Sequence, residues 1–201
     1  MGLPGTIVLG SRGSDLALAQ TRLVEQALRA AWPELEVTTE IIRTCGDESV
    51  GREAVADRKS GRKGMFTREI EKELVVRRID LAVHSAKDLP SERMENLEIC
   101  AALPRGQTGD VLITKEDLSL MSLPQGATIA TGSIRRQHQL RWKRPDLKIV
   151  DLRGNVPTRL RRLDENEDWS GIVLARVGLE RLGLQAKMEN LSEEDFVPAG
   201  G

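Results

Sequence analysis

Residues 131–140 read TGSIRRQHQL, so that Thr131, Gly132 and Ser133 lead directly into two adjacent arginines, Arg135 and Arg136. Arg141, Lys143, Arg144 and Lys148 follow, and the phrase DLRGNVPTRLRR adds Arg153, Arg159, Arg161 and Arg162. Between residues 135 and 162 that makes ten basic residues against Asp146 and Asp151 alone. A helix N-terminus offers unbonded N–H groups and the positive end of its dipole to an anion. Arginine adds a planar fork that grips a carboxylate or phosphate in two places. A second Gly-Ser turn, in LGSRGSDLAL (residues 9–18), carries Arg12 and Ser14. Either turn by itself reads first as ordinary capping beside a solvated basic face; the pair points to a small ligand with several negative charges. GxxxxGK[ST] and GxGxxG are both absent, so neither turn is a P-loop or a dinucleotide-binding turn.

A different chemistry is available in HSAKDLP, residues 84–90, where an apolar stretch ends in the hydroxyl of Ser85, the ammonium of Lys87 and the carboxylate of Asp88. Open α/β sheets place ligand chemistry at strand ends of this kind. Asp88 suits general acid–base work or the stabilisation of a cation. It also suits capping of the next turn with Lys87 solvated, and spacing does not choose between these. RKSGRKGMF, residues 58–66, sets basic residues among glycines, as in a lid over a site or a plain solvated loop. His84 and His138 lie far apart and read as core or surface residues. Cys45 and Cys100 are too few and too isolated for a zinc site, and Cys45 reads as a small buried hydrophobe, so no metal is expected.

The elements that must position these residues can be read from periodicity. TIVL (residues 6–9) reads as a strand ending at Gly10-Ser11, followed by a helix with one apolar face and Ser14 as its N-cap. Pro33 ends that helix, and LEVTTEII (residues 35–42) alternates as a strand. A helix is expected over residues 67–77 and a strand over IDLAVHS. The second half echoes the first: ATIATGS, a helix carrying Arg135 and Arg136, a stop at Pro145, then the strand KIVDL. GIVLARVGLERLGL supplies a buried strand and a short helix. Two such units predict an α/β protein of two lobes, each a mixed sheet flanked by helices, around a shared cleft. Turn composition in LPRGQTGD puts the boundary near residue 104, giving lobe 1 as residues 1–104, lobe 2 as 105–194, and residues 195–201 starting a return to lobe 1.

Composition sets outer limits. A chain of 201 residues, 39% hydrophobic and 30% charged, fits a globular protein of one domain or two small ones. Aromatics make up 2% with no tyrosine, so the core must come from Leu, Ile, Val and Ala. That scarcity also speaks against single-stranded nucleic acid, which stacks on aromatic platforms. A net charge of -1 provides no global field for a polyanion. The N-terminus lacks the pattern of a signal peptide, and no apolar run approaches the roughly 18 residues of a membrane span. The expectation is a cytoplasmic protein with neither nucleic-acid nor membrane partners.

Four phrases in order, LGSRGSDLALAQ, GRKGMFTREIEKELVVRRIDLAVHSAKDLP, TGSIRRQHQLRWKRPDLKIVDLRGNVPTRLRRLDE and IVLARVGLERLGL, make the chain closely resemble the hydroxymethylbilane synthase (porphobilinogen deaminase) family. The resemblance implies a two-lobed, periplasmic-binding-protein-like architecture with the active cleft between the lobes. It implies a transferase of haem and tetrapyrrole biosynthesis that joins four porphobilinogen units head to tail with loss of ammonia, primed by a dipyrromethane cofactor. Each pyrrole carries acetate and propionate, which gives the arginine cluster a purpose in holding porphobilinogen and polypyrrole carboxylates. Asp88, with Lys87, takes the catalytic role. Arg12, Ser14, Asp47, Ser85, Thr131, Ser133, Arg135, Arg136, Arg153, Gly154, Asn155, Arg159 and Arg181 match positions that bind cofactor or substrate or line the channel. Lys59 and Lys63 match a basic loop, and Phe66 the aromatic after it.

Two departures from the family pattern stand out. Cys45 occupies a place where the family usually has arginine. The chain also ends at FVPAGG, where relatives continue into a third domain whose cysteine holds dipyrromethane by a thioether, a role neither Cys45 nor Cys100 matches. The expectation is therefore weak or no turnover alone, in a monomer or in a chain completed by a separate partner. The rival is a non-catalytic protein that binds an acidic tetrapyrrole or another polycarboxylate.

Overall fold

The computed structural model describes residues 5–44, 67–89 and 96–199. Asp47, Lys59, Lys63, Phe66 and Cys45 lie outside the described residues. The chain divides into two units, Met1–Pro104 with Gly201, and Arg105–Gly200.

In the first unit, β1 (Thr6–Ser11) runs into α1 (Asp15–Ala31) through the Gly-Ser turn. Ser14 Oγ accepts the Ala17 N–H at 3.4 Å, and Asp15 in the first turn favours the positive end of the helix dipole. Pro33 cannot extend the helix, and the chain returns as β2 (Glu36–Ile41), parallel to β1 with Thr6 opposite Glu36. α2 (Arg68–Val75) then leads to β3 (Leu81–Ala82), parallel to β1 on its other side. The described order is β2-β1-β3, all parallel, because a helical crossover separates β1 from β2 and another leads into β3. Alternation along β1 divides the core between its faces: Ile7 and Leu9 pack with Val24 and Leu28 of α1, and Val8 packs with Ile70 and Leu74 of α2. Gly10 admits this second layer, since a Cβ there would stand 2.2 Å from Ile79 Cδ1. The IDLAVHS stretch is shorter as a strand than its composition suggests. After the Val83 N–H reaches Gly10 O at 3.0 Å, the ladder ends and residues Ala86–Asp88 form a 3-10 turn.

The second unit contains β4 (Asp110–Thr114), β5 (Thr128–Ala130), α3 (Ile134–Lys143), β6 (Lys148–Val150), α4 (Val156–Glu165), β7 (Gly171–Ala175), α5 (Arg176–Arg181) and β8 (Glu189–Asn190). Its sheet has the order β6-β5-β7-β4-β8 and is mixed: β5 lies parallel to β6 and β7, and β4 runs antiparallel to β7 and β8. One face buries Leu112, Ile129 and Val173 against Leu140 of α3 and Phe196; the other buries Val111, Ile113, Ile172 and Leu174 against Leu163 of α4 and Leu179 of α5. Residues 195–201 are expected to begin a return to the first lobe; of the described ones, Phe196 is buried in this unit's core, and Arg105 Nη2 donates to Ala199 O at 3.3 Å. Among the described residues no helix is long and apolar enough to cross a membrane.

The end of α3 is closed by Arg144, whose Nε and Nη2 meet Asp146 Oδ1 and Oδ2 at 2.7 and 2.8 Å while Nη1 donates to Leu120 O at 2.7 Å. The Arg144 bond, helped by the Gly126 N–H, holds the Asp146 carboxyl well below the usual carboxylate range. A carboxyl depressed in the folded state contributes stability that is complete above its unfolded value, about 4, and is lost as pH falls below it. Asp146→Asn should therefore destabilise the protein at pH 6, with the gap from wild type narrowing towards pH 2. Denaturant unfolding of both proteins across that range checks this, and a gap that widens on acidification would contradict it.

Candidate active site

Two sets of chemical groups gather, one in each unit. In the first unit, pairing of β1 with β3 sets the β1–α1 turn beside the turn that follows β3. Thr21, only 2% exposed, donates from Oγ1 to Ser11 Oγ at 2.7 Å, and Ser11 Oγ donates to Arg12 O at 3.1 Å, which pins the turn carrying Arg12. Across from it, the Gln20 amide brackets the Ser85 hydroxyl, Nε2 donating at 2.8 Å and Oε1 accepting at 3.0 Å. Arg12, Ala17, Gln20, Val83, His84, Ser85 and Asp88 line one indentation of about 20 Å³. Asp88 and Lys87 are exposed on the 3-10 turn, where the Asp88 N–H donates to Ser85 O at 2.9 Å. Burial lowers the His84 pKa; the charges of Glu71 and Asp88 oppose this and Arg12 adds to it. The imidazole is thus predominantly neutral at pH 7, and its Nε2 is buried without a hydrogen-bond partner among the described residues. Ser14 is engaged as the helix cap described above.

In the second unit, Thr131 is fully buried, its N–H on Val150 O at 2.9 Å and its Oγ1 accepting the Ser133 N–H at 3.3 Å. Ser133 precedes α3 but its hydroxyl makes no capping bond, in contrast to Ser14. Gly132 lets this turn touch the β6–α4 loop: a Cβ on it would lie 2.5 Å from Leu152 O. That approach brings TGS against LRGN. Gly154, at φ +109°, offers its carbonyl to Arg159 Nε at 2.7 Å, and Asn155 caps α4 by accepting the Thr158 N–H at 2.9 Å. Arg153 pairs with Asp151 at 2.6 Å, and Arg162 Nη1 donates to Arg153 O at 3.0 Å. Arg181 ends α5 with its guanidinium near Gly106.

Arg135 and Arg136 are not simply presented to a ligand. They share the carboxylate of Asp110, at 2.8 and 2.7 Å respectively, and Asp110 is only 2% exposed. Arg135 Nη1 also donates to Gln139 Oε1 at 3.0 Å and to Val197 O, and Arg136 Nη1 to Val173 O at 3.1 Å. Burial, and after it the charge of Arg136, lowers the pKa of Arg159; Arg153 and Arg162 add to this and Asp151 opposes it. Guanidiniums stay protonated, so the shift marks a half-buried positive charge crowded by others of its sign. Arg136 Nε, buried without a hydrogen-bond partner among the described residues, adds a donor. An excess of crowded cations and an unpaired buried donor fit a group carrying several carboxylates, as the pyrroles of dipyrromethane do.

Gln20, His84 and Asp110 were not singled out from the sequence as site residues. Gln20 could have been found, since Ala17, Gln20 and Thr21 share a face of α1 by their spacing of three and four. Asp110 leaves no comparable local signal.

The family model described as "Porphobilinogen deaminase, dipyromethane cofactor binding domain" matches residues 7–201. A porphobilinogen deaminase from Syntrophomonas wolfei is 49% identical over 191 residues, covering 95% of this chain and 60% of that protein. One from a Roseiflexus species is 47% identical over 197 residues, covering 98% and 64%. The chain thus spans about three fifths of the length of these curated relatives. Among solved structures, a periplasmic aliphatic sulphonate binding protein from Escherichia coli aligns with a TM-score of 0.46 and 13% identity, over 98% of this chain and 60% of that one.

Proposed function

The chain belongs to the porphobilinogen deaminase family, and from that premise we propose that it takes part in the cytoplasmic, stepwise condensation of porphobilinogen into hydroxymethylbilane. In each step the bond from the substrate's methylene carbon to nitrogen breaks, the electron pair leaving with the nitrogen as ammonia. A carbon–carbon bond to the next pyrrole forms, and that pyrrole gives up a proton. Asp88 is the carboxylate set against the positive charge that grows on the methylene carbon, an effect that is strongest once bound substrate has displaced water. Arg12, beside it in the same indentation, and Ser85, braced by Gln20, orient the reacting unit.

The second unit holds carboxylates. Crowding of positive charge around Arg159 is the observation that supports this most strongly, because an anionic ligand relieves it. Arg153, Arg159, Ser133 and the Arg135–Arg136 pair would hold dipyrromethane. When bound, that group supplies the pyrrole end to which the first substrate unit is joined.

The test is incubation of the purified protein with porphobilinogen, following ammonia release and, after acid oxidation, uroporphyrin absorbance. One ammonia is expected per porphobilinogen consumed. Saturable binding with no ammonia would instead favour a polycarboxylate-binding protein, and neither binding nor consumption would end the proposal.

A further inference from the structure

We propose that Asp110 is a positioning residue, which fixes Arg135 and Arg136 as a rigid cationic wall for substrate carboxylates; this rests on the reading of the second unit as the carboxylate-holding one. Asp110 opens β4, opposite Ala175 of β7, and its own carbonyl accepts the Leu191 N–H at 3.0 Å. Its backbone is therefore tied on both sides. Arg135 and Arg136 are consecutive on α3, and two guanidiniums so placed repel each other. A single buried carboxylate spans both, one oxygen to each, at 2.8 and 2.7 Å. The geometry transmits further, because the charge of Arg136 is the chief electrostatic cause acting on Arg159. Where Asp110 places Arg136 therefore contributes to how positive the surroundings of Arg159 are, with Arg153, Arg162 and Asp151.

Asp151 provides the contrast. It pairs with Arg153 at 2.6 Å, but the two side chains are 50% and 56% exposed. It competes with a ligand for Arg153 and does not hold a framework. Simple charge counting says that Asp110→Asn and Asp151→Asn each add one positive charge and should each tighten binding. Positioning separates them, since an amide offers one acceptor and one donor to two guanidinium donors and cannot clasp both.

Calorimetric titration with porphobilinogen, at low and at physiological salt, tests this on the whole chain at a temperature where thermal melts show each variant folded. The expected result is binding about tenfold weaker for Asp110→Asn, the loss of a charge-assisted hydrogen bond, and a few-fold tighter for Asp151→Asn. Gln139→Ala, which removes the second clasp on Arg135 without changing charge, should weaken binding about threefold, the smaller loss of a neutral acceptor. Asp110→Asn binding as tightly as wild type or tighter would overturn the proposal while leaving the carboxylate reading in place. If Asp110→Asn does not fold, Gln139→Ala decides, and unchanged affinity there overturns it. Wild type failing to bind at either salt concentration would remove the carboxylate reading and this inference with it.

Discussion

Asp88→Asn is expected to slow ammonia release from porphobilinogen by about 10²–10³-fold, the range found when a group that stabilises transition-state charge is removed. The change is nearly isosteric and the residue is exposed, so folding should stay within about 0.5 kcal/mol of wild type. On the proposed role, the variant loses a full negative charge facing a carbon that becomes positive as its amine departs. An amide dipole replaces only part of that field. Substrate binding should change much less than turnover, because arginines, and not Asp88, are proposed to hold the carboxylates. Initial rates of ammonia release over a range of porphobilinogen concentrations separate the two effects. A rate within about threefold of wild type, in a variant that melts normally, would remove Asp88 from the chemistry and leave it as a turn residue.

Asp110→Ala should produce the largest loss of stability, about 3–5 kcal/mol, since it leaves Arg135 and the buried Arg136 without the carboxylate that compensates both. For a domain of this size each kcal/mol moves the melting temperature by about 4–8 °C, so a drop of more than about 10 °C is expected by calorimetry. Asp151→Ala removes an ion pair of similar length, 2.6 Å, yet should cost less than about 1 kcal/mol, because both partners remain in water. The two variants together show that burial, and not bond length, decides the size of the effect. Equal losses in both would contradict this account.

Some of the molecule could be read one residue after another. Ser14 as a cap, Pro33 as a stop and the β-branched run of residues 6–9 are signals that act within about four residues, and the structure places β1, α1 and β2 accordingly. Crossover helices in the first unit made its described strands parallel. The concentration of arginine between residues 135 and 162 and the ordered family phrases were equally plain, and the phrases pointed to the family whose model matches residues 7–201. β4 was missed because DVLIT is a short, wholly buried run with no alternation to mark it. α4 was read only as a basic phrase, its Asn155 cap unrecognised.

Tertiary structure alone decided which charges are spent on the protein itself. Arg135 and Arg136 stand out in the sequence as a pair of cations, and only the fold shows that Asp110, twenty-five residues before Arg135, bonds to both. That pairing depends on the strand order β6-β5-β7-β4-β8, in which β4 lies two places from the strand that leads into α3. Likewise, the turn TGS and the loop LRGN meet only because Gly132 has no side chain to keep Leu152 O away. Residue types and spacing determine the helices, the turns and the excess of positive charge. Partnership between residues far apart in the chain is set by how strands are ordered across a sheet, and no local pattern carries that order.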